Sequence, residues 1–304
     1  MLAYLMRDID NVGFEDIPIP RPGAGEVLVR LRASSLNPHD AHVLHGFARA
    51  YMEYDLPAVL GTDAAGAVEA VGPDVSRVEV GDRVFGLERS DRVHNGTFAE
   101  YVVLPENTLV KTPDNVDDAS AGTLGLAASM ALTAVDAMEP AGRSVLINGA
   151  TGGVGCFVTQ LAVHAGARVI ATARAGAEAD LLRELGAQVT VDWTEQDAAE
   201  IAAEAGGVDL LLDLVSRDDE ALEHLASRAL AAGGRVFTTL VPQTASAEFL
   251  LAEGSPELLD RIAASAAAGD LKPVVQTSYR IQDVDKAFAA LGSGTLGKLA
   301  LTFD

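Results

Sequence analysis

The residues best placed to do chemistry lie at positions 144–155, which read S-V-L-I-N-G-A-T-G-G-V-G. Val145, Leu146 and Ile147 form a short apolar run rich in β-branched residues, the pattern of a buried parallel strand. Gly149, Gly152, Gly153 and Gly155 follow at once, and an amphipathic run covers 154–164. A strand that turns on glycines into a helix presents unpaired N–H groups at the positive end of the helix dipole, an arrangement that binds a pyrophosphate. Side chains there would hold the backbone away from the phosphates, and the turn itself demands unusual φ/ψ. The spacing is G-x-x-G-x-x-G with an added glycine at 153, not the usual G-x-G-x-x-G. Taken alone, the loop also fits a tight turn with no ligand.

The nearby charged residues bear on which dinucleotide the loop would hold. NAD is held at its ribose hydroxyls by an acidic residue about 20 positions past the glycines. Here the strand expected at 169–173 ends in Arg174, whose guanidinium suits the 2′-phosphate of NADP(H). Glu178 and Asp180 follow closely and weigh the other way. Asp213 to Ser216 and Thr238 to Leu240 stand at the ends of later strands, where ligands of such folds sit.

Other reactive residue types are sparse. His39, His42 and His45 invite a metal reading, but steps of three fan the rings around a helix, and no carboxylate or cysteine spacing supports a site. His42 or His45 would serve better as a proton donor. Cys156 is the sole cysteine, which excludes an internal disulfide and a cysteine-rich zinc site; it reads as a small packing residue. No Tyr-x-x-x-Lys pair is present.

The elements that must position these residues fall into two textures. Positions 1–113 read as β-structure, with strands at 27–32, 66–71 and 98–104 cut by Gly and Pro turns, and helical character only near 39–45. Such short strands suggest a small barrel. Beyond 114, strands at 169–173, 188–191, 210–213 and 235–240 alternate with helices at 177–185, 196–205 and 218–231. That rhythm is a doubly wound α/β sheet with the glycine loop on its first strand. A further edge strand is expected at 248–252, then a helix opening at Pro256-Glu257, and the tail from 271 returns to the first domain.

Composition narrows the partners. A formal charge of −22 argues against nucleic acid and anionic membranes, which need clustered Lys and Arg. The N-terminus lacks a signal-peptide pattern, and the uncharged stretch 119–135 reads as one buried helix and not a membrane span. A cytoplasmic enzyme is the expectation.

Several motifs, in order, resemble the medium-chain dehydrogenase/reductase superfamily, in its zinc-free quinone oxidoreductase branch. They are A-S-S-L-N-P-H-D (33–40), L-G-T-D-A-A-G (60–66), V-G-D-R-V-F-G (80–86), T-F-A-E-Y-V (97–102), A-L-T-A (131–134), N-G-A-T-G-G-V-G (148–155) and G-K-L-A-L-T (297–302). The resemblance implies a GroES-like domain from 1–115 and 271–304, a Rossmann domain over 116–270, and a cleft holding NADPH. It implies pyrophosphate contacts from Gly149, Thr151, Gly152, Gly153 and Val154, with Arg174, Asp213 and Leu240 further along the cofactor. It places Asn37 beside the nicotinamide ribose, Thr133 near the nicotinamide, and Tyr51 and Tyr54 in a loop at the active-site mouth, where either would meet a substrate carbonyl. Zinc-dependent relatives carry a cysteine where Asn37 stands, a His-Glu pair where Thr62-Asp63 stands, and a four-cysteine structural loop, none of which is here. The activity implied is reduction of a quinone or an enone by NADPH without zinc, with a stand-alone enoyl reductase of a polyketide-type pathway or a non-catalytic NADPH sensor as alternatives. A homodimer through the edge of the Rossmann sheet completes the expectation.

Overall fold

The computed structural model describes residues 1–9, 11–216, 218–240, 246–252 and 254–303. The chain divides into two units, one of Met1–Ser129, Gly254–Gly269 and Pro273–Asp304, the other of Met130–Glu253 and Asp270–Lys272.

The second unit is built on the strand Ser144–Asn148, whose Val145, Leu146 and Ile147 are fully buried. It pairs on one side with Arg168–Ala173, which pairs with Val189–Asp192, and on the other with Val208–Asp213, then Leu230–Thr238 and Glu248–Phe249. Every pairing in this six-stranded sheet is parallel. The order, with crossovers running both ways from the first strand, is that of a Rossmann fold. Register sets Asn148 opposite Asp213, Asp213 opposite Thr238 and Ala173 opposite Asp192. The carboxyl ends of the strands thus share one edge. Leu146, Ile170, Val191, Leu211 and Val236 form the core under one layer of helices.

Two expectations here need correction. The strand expected at 235–240 is Leu230–Thr238, because the helix Asp219–Ala229 runs straight into it and Leu230 already pairs with Val208. A register shift follows, and Gly233 takes φ +83 within it. The edge strand expected at 248–252 is only Glu248–Phe249.

The first unit holds two sheets. In one, Val275–Arg280, Lys298–Thr302, Glu26–Leu36, Asp63–Val71, Arg83–Leu87 and Leu109–Lys111 lie in that order, with Tyr101–Pro105 also paired to Glu26–Leu36. In the other the order is Asn11–Asp16, Leu2–Asp8, Glu53–Val59 and Arg92–Asn95. The helix Pro256–Ala268, expected in the Rossmann domain, groups with this unit. Its Asp260 pairs with Arg77 at 2.8 Å, and the Ala266 carbonyl accepts from Asn115 Nδ2 at 3.1 Å. The stretch expected as one helix at 119–135 is two, Asp118–Ala121 and Gly125–Met138. The break is sterically set: a Cβ on Gly122 would lie 2.8 Å from that of Ala33, and one on Gly125 would lie 2.3 Å from the Gly86 carbonyl oxygen.

Among the described residues no helix is long and apolar enough to cross a membrane. Cys156 is 1% exposed, with its thiol toward the Thr151 carbonyl at 3.4 Å. A disulfide reagent is therefore expected to label it negligibly in the native protein and stoichiometrically in denaturant. Rapid native labelling would contradict this packing.

Candidate cofactor and substrate sites

The glycine loop joins Asn148 to the helix Gly153–His164. Gly149 takes φ +87, and a Cβ there would meet Val215 at 2.5 Å. Gly155 packs the helix onto the turn: its Cβ would fall 2.4 Å from the Gly149 carbonyl oxygen and 2.6 Å from Ala150 Cα. Gly152 differs. A Cβ there would meet only the Gly149 carbonyl oxygen, at 3.6 Å, and otherwise point into open space. Gly152 is the N-cap residue and no side chain among the described residues caps the helix. The first N–H groups, of Gly153, Val154 and Gly155, thus lack intrahelical acceptors. Thr151, Gly152, Gly153 and Val154 are all partly accessible. The cradle fits an oxyanion such as a pyrophosphate.

The turn is held from below. Thr172 Oγ1 accepts from the Gly149 N–H at 2.9 Å. Asp213, fully buried, accepts from Asn148 Nδ2 at 2.7 Å and from the Ser216 hydroxyl at 2.8 Å. Its carboxylate is thus engaged in fixing the loop ends. Leu240 is exposed beyond Thr238, whose hydroxyl accepts from the Leu240 N–H at 3.0 Å. Thr133 is half-buried in the helix Gly125–Met138.

Arg174 stands just past Ala173 at the end of the second strand. Its Nε donates to Glu178 Oε1 at 2.6 Å and its backbone N–H to Oε2 at 2.8 Å. Burial alone would raise the Glu178 carboxyl, but the guanidinium and N–H of Arg174 hold it below the usual carboxylate range. Asp192, across from Ala173, accepts from the Ala175 N–H at 2.9 Å and the Thr194 hydroxyl at 2.6 Å, which lowers its carboxyl too.

In the first unit, Asn37 opens the helix Pro38–Leu44 and sits at the centre of a buried polar network. Asn37 Nδ2 donates to Asp63 Oδ2 at 2.9 Å, and Lys298 Nζ donates to Asn37 Oδ1 at 2.6 Å. Lys298 also donates to Asp63 at 3.3 Å and to the Leu36 carbonyl at 3.2 Å. Asp63 further accepts from the Ser35 hydroxyl and from the Leu126 N–H at 2.6 Å. Asp40 accepts from the Asn37 N–H at 2.8 Å and the Thr62 hydroxyl at 2.7 Å. Among the described residues no buried side-chain nitrogen or oxygen lacks a partner. The Asn37 amide, expected beside a nicotinamide ribose, donates to Asp63 and accepts from Lys298.

Burial pushes the Asp40 carboxyl up to about 6, with the neighbouring Asp63 charge adding to it and the Thr62 hydroxyl opposing. Burial likewise pushes Glu88 up to about 7. Both line a cavity of about 20 Å³ with His39, which burial holds below its ordinary value. An acid whose folded pKa is raised stabilises the fold below its unfolded pKa, and that contribution is lost as pH rises through the folded value. The pair Asp40→Asn and Glu88→Gln is therefore expected to flatten the decline in stability between about pH 4 and pH 7. Denaturant titrations across that window check it; an unchanged decline would contradict the assignment.

The remaining substrate candidates lie near this helix. Tyr54 is half-buried and its hydroxyl donates to the Val43 carbonyl at 2.8 Å, so that proton is engaged. Tyr51 is 60% exposed, its ring 6.3 Å from that of His39. His45 caps the helix end, exposed, with its ring 6.3 Å from Phe47. Among the described residues, no three His, Cys, Asp or Glu side chains could hold a metal ion. Lys298 received no role from sequence; the signal available was a lysine inside the apolar run K-L-A-L.

Comparison with known proteins agrees with this architecture. Residues 23–114 match the family described as alcohol dehydrogenase GroES-like domain, and residues 153–255 that described as zinc-binding dehydrogenase. The chain is 29% identical to the quinone oxidoreductase of Homo sapiens, over 94% of this chain and 92% of that protein. It is 30% identical to the chloroplastic NADPH-dependent alkenal/one oxidoreductase of Arabidopsis thaliana, over 90% of this chain and 72% of that protein. Among solved structures, an NAD-dependent alcohol dehydrogenase superposes with a TM-score of 0.89 at 29% identity, covering 99% of each chain.

Proposed function

Because the chain belongs to the medium-chain dehydrogenase/reductase superfamily, in its quinone oxidoreductase branch, we propose that it is an NADPH-dependent, zinc-independent reductase of quinones or α,β-unsaturated carbonyl compounds. The cofactor supplies a hydride when bound. The cradle beside Gly152 would hold the pyrophosphate through the N–H groups of Gly153 and Val154, and Arg174 would meet the adenosine 2′-phosphate.

The observation that carries the reading is the donor set around Asn37. Where zinc-dependent relatives carry a thiolate and an imidazole, this chain presents an amide and a hydroxyl, Asn37 and Thr62, and the ammonium of Lys298 contacts Asp63. An amide, a hydroxyl and an ammonium are poor company for a zinc ion. Without such a Lewis acid, the substrate must already be electron-poor. Reduction of a conjugated system moves charge onto an oxygen that hydrogen bonds alone can stabilise. The candidate donors are the Tyr51 hydroxyl and the imidazoles of His42 and His45, all exposed on the first unit.

The reading is tested with a panel of quinones, enals and saturated ketones, following reduced-nicotinamide absorbance. Turnover of quinones or enals, with saturated ketones inert, is expected. Turnover of saturated ketones or alcohols alone would overturn it. The proposal includes a homodimer across the exposed edge strand Glu248–Phe249; sedimentation as a monomer would remove that part.

A further inference from the structure

We propose that Glu178 tempers the NADPH preference of this chain by standing in for the 2′-phosphate on Arg174, so that the wild-type protein binds NADPH less tightly than the arginine alone would allow. The inference rests on the reading that a nicotinamide dinucleotide occupies the glycine loop.

Local structure forces the pairing. Gly176, at φ +88, turns the chain so that the helix Ala177–Glu184 starts back over Arg174. The Ala179 N–H donates to the Arg174 carbonyl at 3.2 Å, which fixes Glu178 beside the arginine. Glu178 then fills the fork of the guanidinium: Oε1 lies 2.6 Å from Nε and 2.5 Å from Nη2. A phosphate would claim the same bidentate edge. The Glu178 side chain is 14% exposed, whereas that of Arg174 is 63% exposed.

Charge counts in the same direction. Around the one guanidinium stand two carboxylates, Glu178 and Asp192. A 2′-phosphate must displace the first and then sit near both. A 2′-hydroxyl needs neither the guanidinium nor the displacement, and can donate to a carboxylate. Asp180 does not enter, since it pairs with Arg183 at 2.8 Å. Asp192 is committed to the Ala175 N–H and to Thr194. Glu178 is therefore the adjustable charge.

The test is equilibrium binding of NADPH and NADH to wild type, Glu178→Gln, and the double variant Glu178→Gln with Arg174→Gln. Glutamine keeps the length and one acceptor oxygen while removing the charge. Binding is read by calorimetry and by energy transfer to the reduced nicotinamide from Trp193, the sole tryptophan, 59% exposed beside Asp192. Glu178→Gln is expected to tighten NADPH about 10-fold and leave NADH within about 2-fold, with the gain lost in the double variant. If wild type binds NADPH and the NADPH-to-NADH affinity ratio is unchanged in Glu178→Gln, the role of Glu178 alone is overturned. A gain that survives loss of Arg174 would do the same. If wild type binds neither dinucleotide, the cofactor reading itself fails and takes this inference with it.

Discussion

Gly152→Asp is expected to weaken dinucleotide binding by about 100-fold or more while leaving the melting temperature within about 2 °C of wild type. The two halves of that expectation come from one observation. A Cβ at Gly152 meets nothing nearer than the Gly149 carbonyl oxygen at 3.6 Å, so the fold accommodates a side chain there. Gly152 takes φ −72, a conformation any residue adopts, so no backbone strain follows. As an N-cap, aspartate is even favourable to the helix, because its carboxylate accepts from the orphan N–H groups. That is why binding suffers: the carboxylate occupies the donors and repels an incoming diphosphate. Gly155 offers the contrast, since its Cβ would strike Ala150 and Gly149 backbone atoms at 2.4–2.6 Å and disturb the fold itself. Calorimetric titration beside thermal denaturation separates the two effects. Undiminished affinity in Gly152→Asp would mean that the ligand does not use this helix end.

Lys298→Met is expected to cost about 3–5 kcal/mol of stability and to lower the melting temperature by about 10 °C. The side chain is 4% exposed and Asp63 fully buried. Methionine keeps the volume but strands the Asp63 carboxylate and leaves the Leu36 carbonyl and Asn37 Oδ1 without their donor. An uncompensated buried charge costs more than the intact pair contributes. Adding Asp63→Asn removes the charge, and the double variant is expected to recover a substantial part of the loss. Chemical denaturation of the three variants measures this. A loss below about 1 kcal/mol for the single change would contradict the buried network.

The glycine loop was readable because its chemistry is local: a β-branched run, glycines and an amphipathic run lie within some twenty consecutive positions. The alternation of strand and helix beyond it fixed the parallel sheet for the same reason. The network around Asn37 was not readable, because its partners meet only through folding: Asp63 and Lys298 are 235 residues apart, Asn37 and Lys298 are 261 apart. Nothing local shows that a lysine from the last strand will donate to the Asn37 amide oxygen. Arg174 shows a subtler limit. Both Arg174 and Glu178 are visible in the sequence, but their pairing depends on the turn at Gly176, which brings the carboxylate into the guanidinium fork. The start of the strand Leu230–Thr238 is not legible in the sequence because the helix before it ends on Ala229 without a loop.

We propose hydride transfer to a conjugated substrate at a site that needs no metal. It is tested most directly by dialysing the protein against a strong chelator, confirming its metal content, and measuring NADPH oxidation with a quinone and an enal. The prediction is an unchanged rate in protein carrying well under one metal ion per chain. A rate that falls with the metal and returns on adding zinc would contradict it.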